Sequence, residues 1–194
     1  KVMSGLKQQV AQGNVSLETI KQMKMTGMDV EKSVGKPARM TIFKKAVENA
    51  LSTGTGDVET DALRVSLIDD LALEREKAER DLNEIAGNRK KDAMVQAVSF
   101  LRQQRREDSI KALNNLIACA QFVPEPVDWS MRGEKEDLFM MYVRAVKDDA
   151  KRKRLAAAFD ISDEDANVLI GTAGSASDGG SSVVSSGAQE TSLF

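Results

Sequence analysis

Histidine is missing from all 194 residues, which removes the commonest metal ligand and the commonest general base near neutral pH. The single cysteine, Cys119, cannot close an internal disulfide, and its apolar neighbours read it as a small buried hydrophobe rather than a reactive thiol. One free thiol fits a reducing compartment. Aromatic residues make up 4% of the chain, so a core must be built from aliphatic side chains and from nine adaptable methionines. No apolar run reaches the roughly eighteen residues that a membrane-spanning helix needs. Neither sign of charge is in large excess, since the net charge is −2, and composition alone therefore points to neither nucleic acid nor a membrane surface. The chain opens on Lys1-Val2-Met3 with no signal or transit pattern. Opening on Lys rather than Met is expected of a fragment or processed product, whose membrane association would come through segments outside it.

What is present is helical periodicity. Charged residues are 30% and apolar residues 41%, a balance suited to a folded, helix-rich chain with a well-solvated surface. Met94, Ala97, Val98 and Leu101 form one apolar stripe, and Ile110, Leu113, Leu116, Ile117 and Ala120 form another. Leu101 and Ile110 are nine residues apart, so one straight helix would place the stripes about half a turn out of phase. A break within residues 103–108 lets them face each other across a helical hairpin.

The flanking segments repeat the pattern. Met3, Leu6 and Val10 mark an opening helix stopped by Gly13-Asn14, and Ser16 caps a second carrying Leu17, Ile20 and Met23 that ends near Gly27. A short element over 29–34 leads to Lys36-Pro37, which starts a helix holding Met40, Phe43, Val47 and Leu51. After the loop Ser52-Thr53-Gly54-Thr55-Gly56, Asp57 or Thr60 is placed to cap a helix with Leu63, Leu67 and Leu71. Acids and bases three and four apart over 73–85 predict an exposed helix, with Gly87-Asn88 weakening but not ending it before about Gln104. Val123-Pro124-Glu125-Pro126 is a stiff linker that closes the hairpin. Leu138, Met141, Tyr142 and Ala145 mark one later helix, Leu155, Ala158 and Phe159 another, and Ser162 caps a short last one with Ala166, Leu169 and Ile170. From Gly171 onward Gly and Ser dominate, and a disordered tail is expected over 171–194, after a helical-repeat scaffold over 1–170. The fold class is all-α, built of antiparallel helix pairs.

Each chemical motif has a plain structural reading. Gly54-Thr55-Gly56 lacks the GxxxxGK[ST] spacing and a preceding strand, and reads as an interhelical turn rather than a phosphate loop. Asp69-Asp70, Asp148-Asp149 and the acids of 163–165 lack EF-hand spacing and read as helix-end charges, so no metal and no cofactor is expected. Three basic clusters, Arg89-Lys90-Lys91, Arg102 with Arg105-Arg106, and Lys151-Arg152-Lys153-Arg154, are each flanked by acids and stand apart from the aromatics. They read as solvated or helix-end charge, with nucleic-acid binding as the rival reading and no nucleic acid expected as partner. Met23, Met25 and Met28 either pack in a core or line a groove. Trp129 either pins a loop onto the core or serves as a partner-facing anchor. No nucleophile, base and oxyanion donor assemble, so the chain carries no enzymatic signal.

The run Gln96-Ala97-Val98-Ser99-Phe100-Leu101-Arg102-Gln103, then Lys111-Ala112-Leu113-Asn114-Asn115-Leu116-Ile117-Ala118-Cys119 and Val123-Pro124, resembles the C-terminal stromal region of the large subunit of the chloroplast inner-envelope protein translocon (TIC complex). Ile42-Phe43-Lys44-Lys45-Ala46-Val47, the 52–56 loop, Trp129, Asp137-Leu138-Phe139 with Tyr142, and Ile161-Ser162-Asp163 agree in the same order. The resemblance runs over about 2–170. It leaves the Arg105-Arg106 joint, the Lys151–Arg154 cluster and the tail unmatched. It implies that the helix pairs form an elongated HEAT-like stack, a scaffold on the stromal face of the inner envelope, whose partners are transit peptides of preproteins, stromal chaperones and other translocon subunits. A chaperone-docking adaptor without preprotein contact is the alternative. Transit peptides are basic and amphipathic. The candidate partner-binding residues are therefore the acids Glu74, Glu76, Glu79 and Asp81, together with Trp129.

Overall fold

A computed structural model describes residues 2–175 and contains helices and no strand among them. The helices are α1 (Val2–Ala11), α2 (Leu17–Met25), α3 (Val30–Ser33), α4 (Lys36–Ala50), a π-helical turn (Ala62–Ser66) running into α5 (Leu67–Asp70), α6 (Arg75–Arg102), α7 (Arg106–Ala120), α8 (Arg132–Ala145), α9 (Asp149–Ala158) and α10 (Asp163–Ser175). The expected all-α stack of helices is what the chain forms. The tail expected over 171–194 begins inside α10, which continues through Ser175, and 176–194 lie outside the described residues.

Local signals set most boundaries. The Ser16 hydroxyl accepts from the Thr19 amide at 3.2 Å, a reciprocal cap that starts α2. Asp29, Asp148 and Ser162 take the same role for α3, α9 and α10. Helix ends share one device: an amide two residues past the C-cap reaches back to a carbonyl in the last turn, with an intervening residue in the left-handed region. Gly13 and Gly27 fill that position after α1 and α2, while Ala72, Gln104 and Asp160 fill it after α5, α6 and α9. At the α6–α7 joint, Gln104 has φ 60°, its amide donates to Leu101 at 3.0 Å, and Arg105 donates to Phe100 at 2.9 Å. The break falls inside the expected window and turns the chain back on itself.

One expectation is corrected. Neither Asp57 nor Thr60 caps the helix carrying Leu63, which is π-helical and has no side-chain cap. Asp57 is instead drawn across the fold to Lys151, at 3.1 Å.

Two apolar cores lie along α6, which at 28 residues is about 42 Å long. Ala78, Leu82 and Ala86 of α6 join Ile20, Met23, Phe43, Val47, Leu51, Ile68 and Leu71 in the first core. Ala93, Met94, Ala97 and Val98 join Leu113, Leu116, Ile117, Leu138, Phe139, Tyr142 and Phe159 in the second. Antiparallel α7 belongs to both, through Leu113, Leu116 and Ile117 on one side and Ala118 and Cys119 on the other. Inside the hairpin, the fully buried Ser109 hydroxyl donates to the Ala97 carbonyl at 2.8 Å.

The loop after α4 clasps the two cores together. Asn115 Oδ1 accepts from the Gly54 amide at 2.7 Å, and Asn114 Nδ2 donates to the Gly54 carbonyl at 2.9 Å. Tyr142 Oη donates to Asn114 Oδ1 at 2.6 Å, and Lys151 Nζ donates to the Thr55 carbonyl at 2.8 Å. The turn reading of this Gly-Thr-Gly stretch is the structural one, with side chains of α7 and α9 in the place a phosphate would take. Gly56 has φ 78°, and a Cβ there would stand 3.0 Å from Ile117 Cδ1 and 3.2 Å from Asn114 Oδ1.

Two stability measurements check these assignments by chemical denaturation. Gln104→Gly relieves a left-handed side-chain penalty and is expected to stabilise the chain by about 1 kcal/mol. Gly56→Ala adds both that penalty and a close contact, and is expected to cost about 1–2 kcal/mol.

Candidate partner-binding surface

The four candidate acids do not form one stripe. Glu74 and Asp81 are seven residues apart and face α4, where they pair with Lys36 and Lys44 at 4.0 Å each. Arg89 and Glu48 extend this seam at 3.6 Å, and the rising order of the pairs shows that α4 runs parallel to the first half of α6. Glu79 lies about 160° round the helix from Asp81. It pairs with Arg75 at 3.8 Å within α6. Exposed Glu76 shares that outer side and has no ion-pair partner among the described residues. Two acids therefore brace a seam, and two belong to the solvated face of α6.

Trp129 pins its loop. It packs against the second core, and Nε1 donates to Glu134 Oε2 at 2.8 Å. Arg102, the last residue of α6, donates to the other oxygen of the same carboxylate. The Arg102 bond, followed by the Trp129 bond, holds the Glu134 carboxyl below its ordinary range.

The three basic clusters come apart in space. Lys90 is buried and donates to the carbonyls of Val123, at 2.7 Å, and of Glu125, tying the proline linker to α6. Burial holds its ammonium below the ordinary lysine range, against the pull of Glu125. Arg105 pairs with Asp108 at 2.7 Å and lies over the Phe100 ring at 4.7 Å. In the third cluster, Lys151 turns to the 52–57 loop, and Arg152 donates to the carbonyls of Val143 (2.7 Å) and Val146 (2.8 Å) at the end of α8. Only Lys153 and Arg154 of that cluster remain exposed.

Cys119 is fully buried, and burial pushes its thiol up to about 12, so it packs and does not react. Met23 is core, Met28 is half-buried and Met25 is 87% exposed, so the three line no common groove. Among the described residues, no group of three or more acids or cysteines is arranged to hold a metal ion, and no helix is long and apolar enough to cross a membrane.

A concavity of 490 Å³ lies between α8, α9 and α10, and a 340 Å³ hollow adjoins it through Arg152 and Ile170. Sequence reading missed this cleft. Its cations Arg144, Lys147 and Lys153 come from the end of α8, the connection after it and the middle of α9, and no local pattern marks their grouping.

Fold and surface together define a class: an all-α segment with two closed cores and a charged exterior. No family model matches the chain, and no solved structure matches it. It is 32% identical over 170 residues to "Protein TIC110, chloroplastic" of Pisum sativum, and 30% identical over 172 residues to the protein of that name from Arabidopsis thaliana. Each match takes in 87% of this chain, which spans 17% of the length of either relative. The chain is thus a homologue of one segment of TIC110, the relationship its hairpin and loop residues imply, and it is a chloroplast protein.

Acidification checks the Trp129 anchor. Because the Glu134 carboxyl is lowered in the folded chain, its contribution is present above the ordinary glutamate value of 4.5 and is lost as pH falls through the lowered one. Fluorescence of the one tryptophan is expected to shift with a midpoint below 4.5, and Glu134→Gln should remove that transition.

Proposed function

We propose that this chain is a non-enzymatic scaffold segment of the chloroplast protein-import machinery, on the stromal face of the inner envelope. There it binds incoming transit peptides and recruits stromal chaperones, alongside other translocon subunits. The observation that carries this reading is the similarity to TIC110 along nearly the whole helical region. The structure is compatible with it in one respect: both apolar stripes of the hairpin are used in cores, which leaves recognition to the charged outer faces.

For a basic, amphipathic peptide the outer side of α6 is the favoured contact, through Glu76 and Glu79. Glu74 and Asp81 act there indirectly, by holding α6 against α4. Reversal at Glu76 and Glu79 to Lys is expected to weaken transit-peptide binding about threefold to tenfold at low salt. Asp81→Asn is expected to leave affinity unchanged. A titration in which the double reversal binds as tightly as the parent chain would remove this face from the proposal. Crosslinks from a photoreactive transit peptide that avoid the segment entirely would leave the chaperone-docking adaptor as the better reading.

A further inference from the structure

We propose that the cleft walled by α8, α9 and α10 docks an acidic amphipathic helix of a partner protein. The cleft joins the 490 Å³ and 340 Å³ hollows, and its charge is one-sided: Arg144, Lys147, Arg152 and Lys153 face Asp149 and Asp163. The internal pairing of these groups sharpens the imbalance. Arg152 is engaged by the α8 carbonyls and stands 3.5 Å from Asp149, so these two answer each other. Asp163 is the first residue of α10, where the helix's own amides favour a negative charge. Lys153 is then left on the first hollow, and Arg144 and Lys147 on the adjoining one, with no ion-pair partner among the described residues, although Lys147 also donates to the Val143 carbonyl at 3.4 Å.

Between these cations the cleft holds half-buried Ile170 over the buried Phe139 and Ala156. An apolar hollow flanked by unanswered cations fits an apolar residue of a helix, with carboxylates on either flank. Walls made only of helices offer no strand edge for an extended peptide. A bilayer is broad and flat, whereas Ile170 is recessed. The cleft lies apart from the outer side of α6, and the proposal does not depend on the transit-peptide reading.

The test is fluorescence anisotropy at low salt with the full 194-residue chain and a labelled amphipathic peptide of Glu, Leu and Ala. The acidic peptide is expected to bind at least about tenfold tighter than the same peptide with Lys for Glu. Combined reversal of the exposed Arg144, Lys147 and Lys153 to Glu should lower that affinity by about tenfold, with helicity unchanged by circular dichroism. Reversal of the exposed cations Lys21, Lys45 and Lys77, far along the chain, should leave it alone. Equal loss in both triple variants, or no preference for the acidic peptide, overturns the proposal. So does full displacement of the peptide by phosphatidylglycerol vesicles, which would assign the cations to a lipid surface. Binding that appears only after removal of residues 176–194 would overturn it in favour of the chain's own segment as occupant.

Discussion

Everything in this chain hangs on one antiparallel hairpin that serves two cores at once. α6 is long enough to pass from the first core to the second, and Ala78, Leu82 and Ala86 face one while Ala93, Met94, Ala97 and Val98 face the other. Alanine at so many of these contacts lets neighbouring helices approach closely, as the small side chain costs no rotamer freedom and occupies little width. Because α7 is shared as well, neither core can loosen without disturbing the hairpin, which couples the two halves mechanically. The Gly54 clasp adds a polar tie at the same junction, with three hydrogen bonds linking the loop after α4 to Asn114, Asn115 and Lys151, and a fourth from Tyr142 of α8 holding Asn114.

This arrangement closes the apolar stripes to any partner and leaves the charged exterior as the accessible surface. The stripes are closed against each other, and burial of a polar group inside them is tolerated only with a partner, as Ser109 has in the Ala97 carbonyl. The buried cations follow the same rule. Arg39 donates to the carbonyls of Val34 and Leu71, both at 2.9 Å, and Lys90 donates to the proline linker. Cationic side chains that look like recognition elements in the sequence are thereby employed as helix-end clamps. Charges left at the surface include Glu76 and Glu79, set among the bases of α6, and the cations of the cleft at α8–α10.

Much of the fold was legible from residue order, and for a physical reason. Capping residues, left-handed stop positions and apolar spacing act within about four residues, so Ser16, Gly27, Pro37, the break at 103–105 and Ser162 each declare themselves locally. Gly87 does not interrupt α6, since helical neighbours on both sides and open space at its Cα impose no demand for a turn. The π-helical turn at 62–66 was not legible, because a wider turn leaves no mark in three- and four-residue spacing. The candidate surface was legible only in part. Clustering of Glu74, Glu76, Glu79 and Asp81 is plain in the sequence, yet two of the four turn toward α4, where Lys36 and Lys44 lie more than thirty residues earlier.

The sequence by itself determined most of the helices and most of their ends, the all-α class and the relationship to one chloroplast family. These follow from short-range chemistry and from residue order, which survive without knowledge of packing. Tertiary structure alone decided which charges are available. Lys151 and Arg152 are spent on carbonyls, Lys153 is not, and the difference arises from the side of α9 that meets the second core. It also decided that the Gly-Thr-Gly loop is a clasp, since its partners Asn114, Asn115 and Lys151 are about 60 to 96 residues away. Contacts over such distances form only when the hairpin has brought two cores together, and no local pattern can specify them.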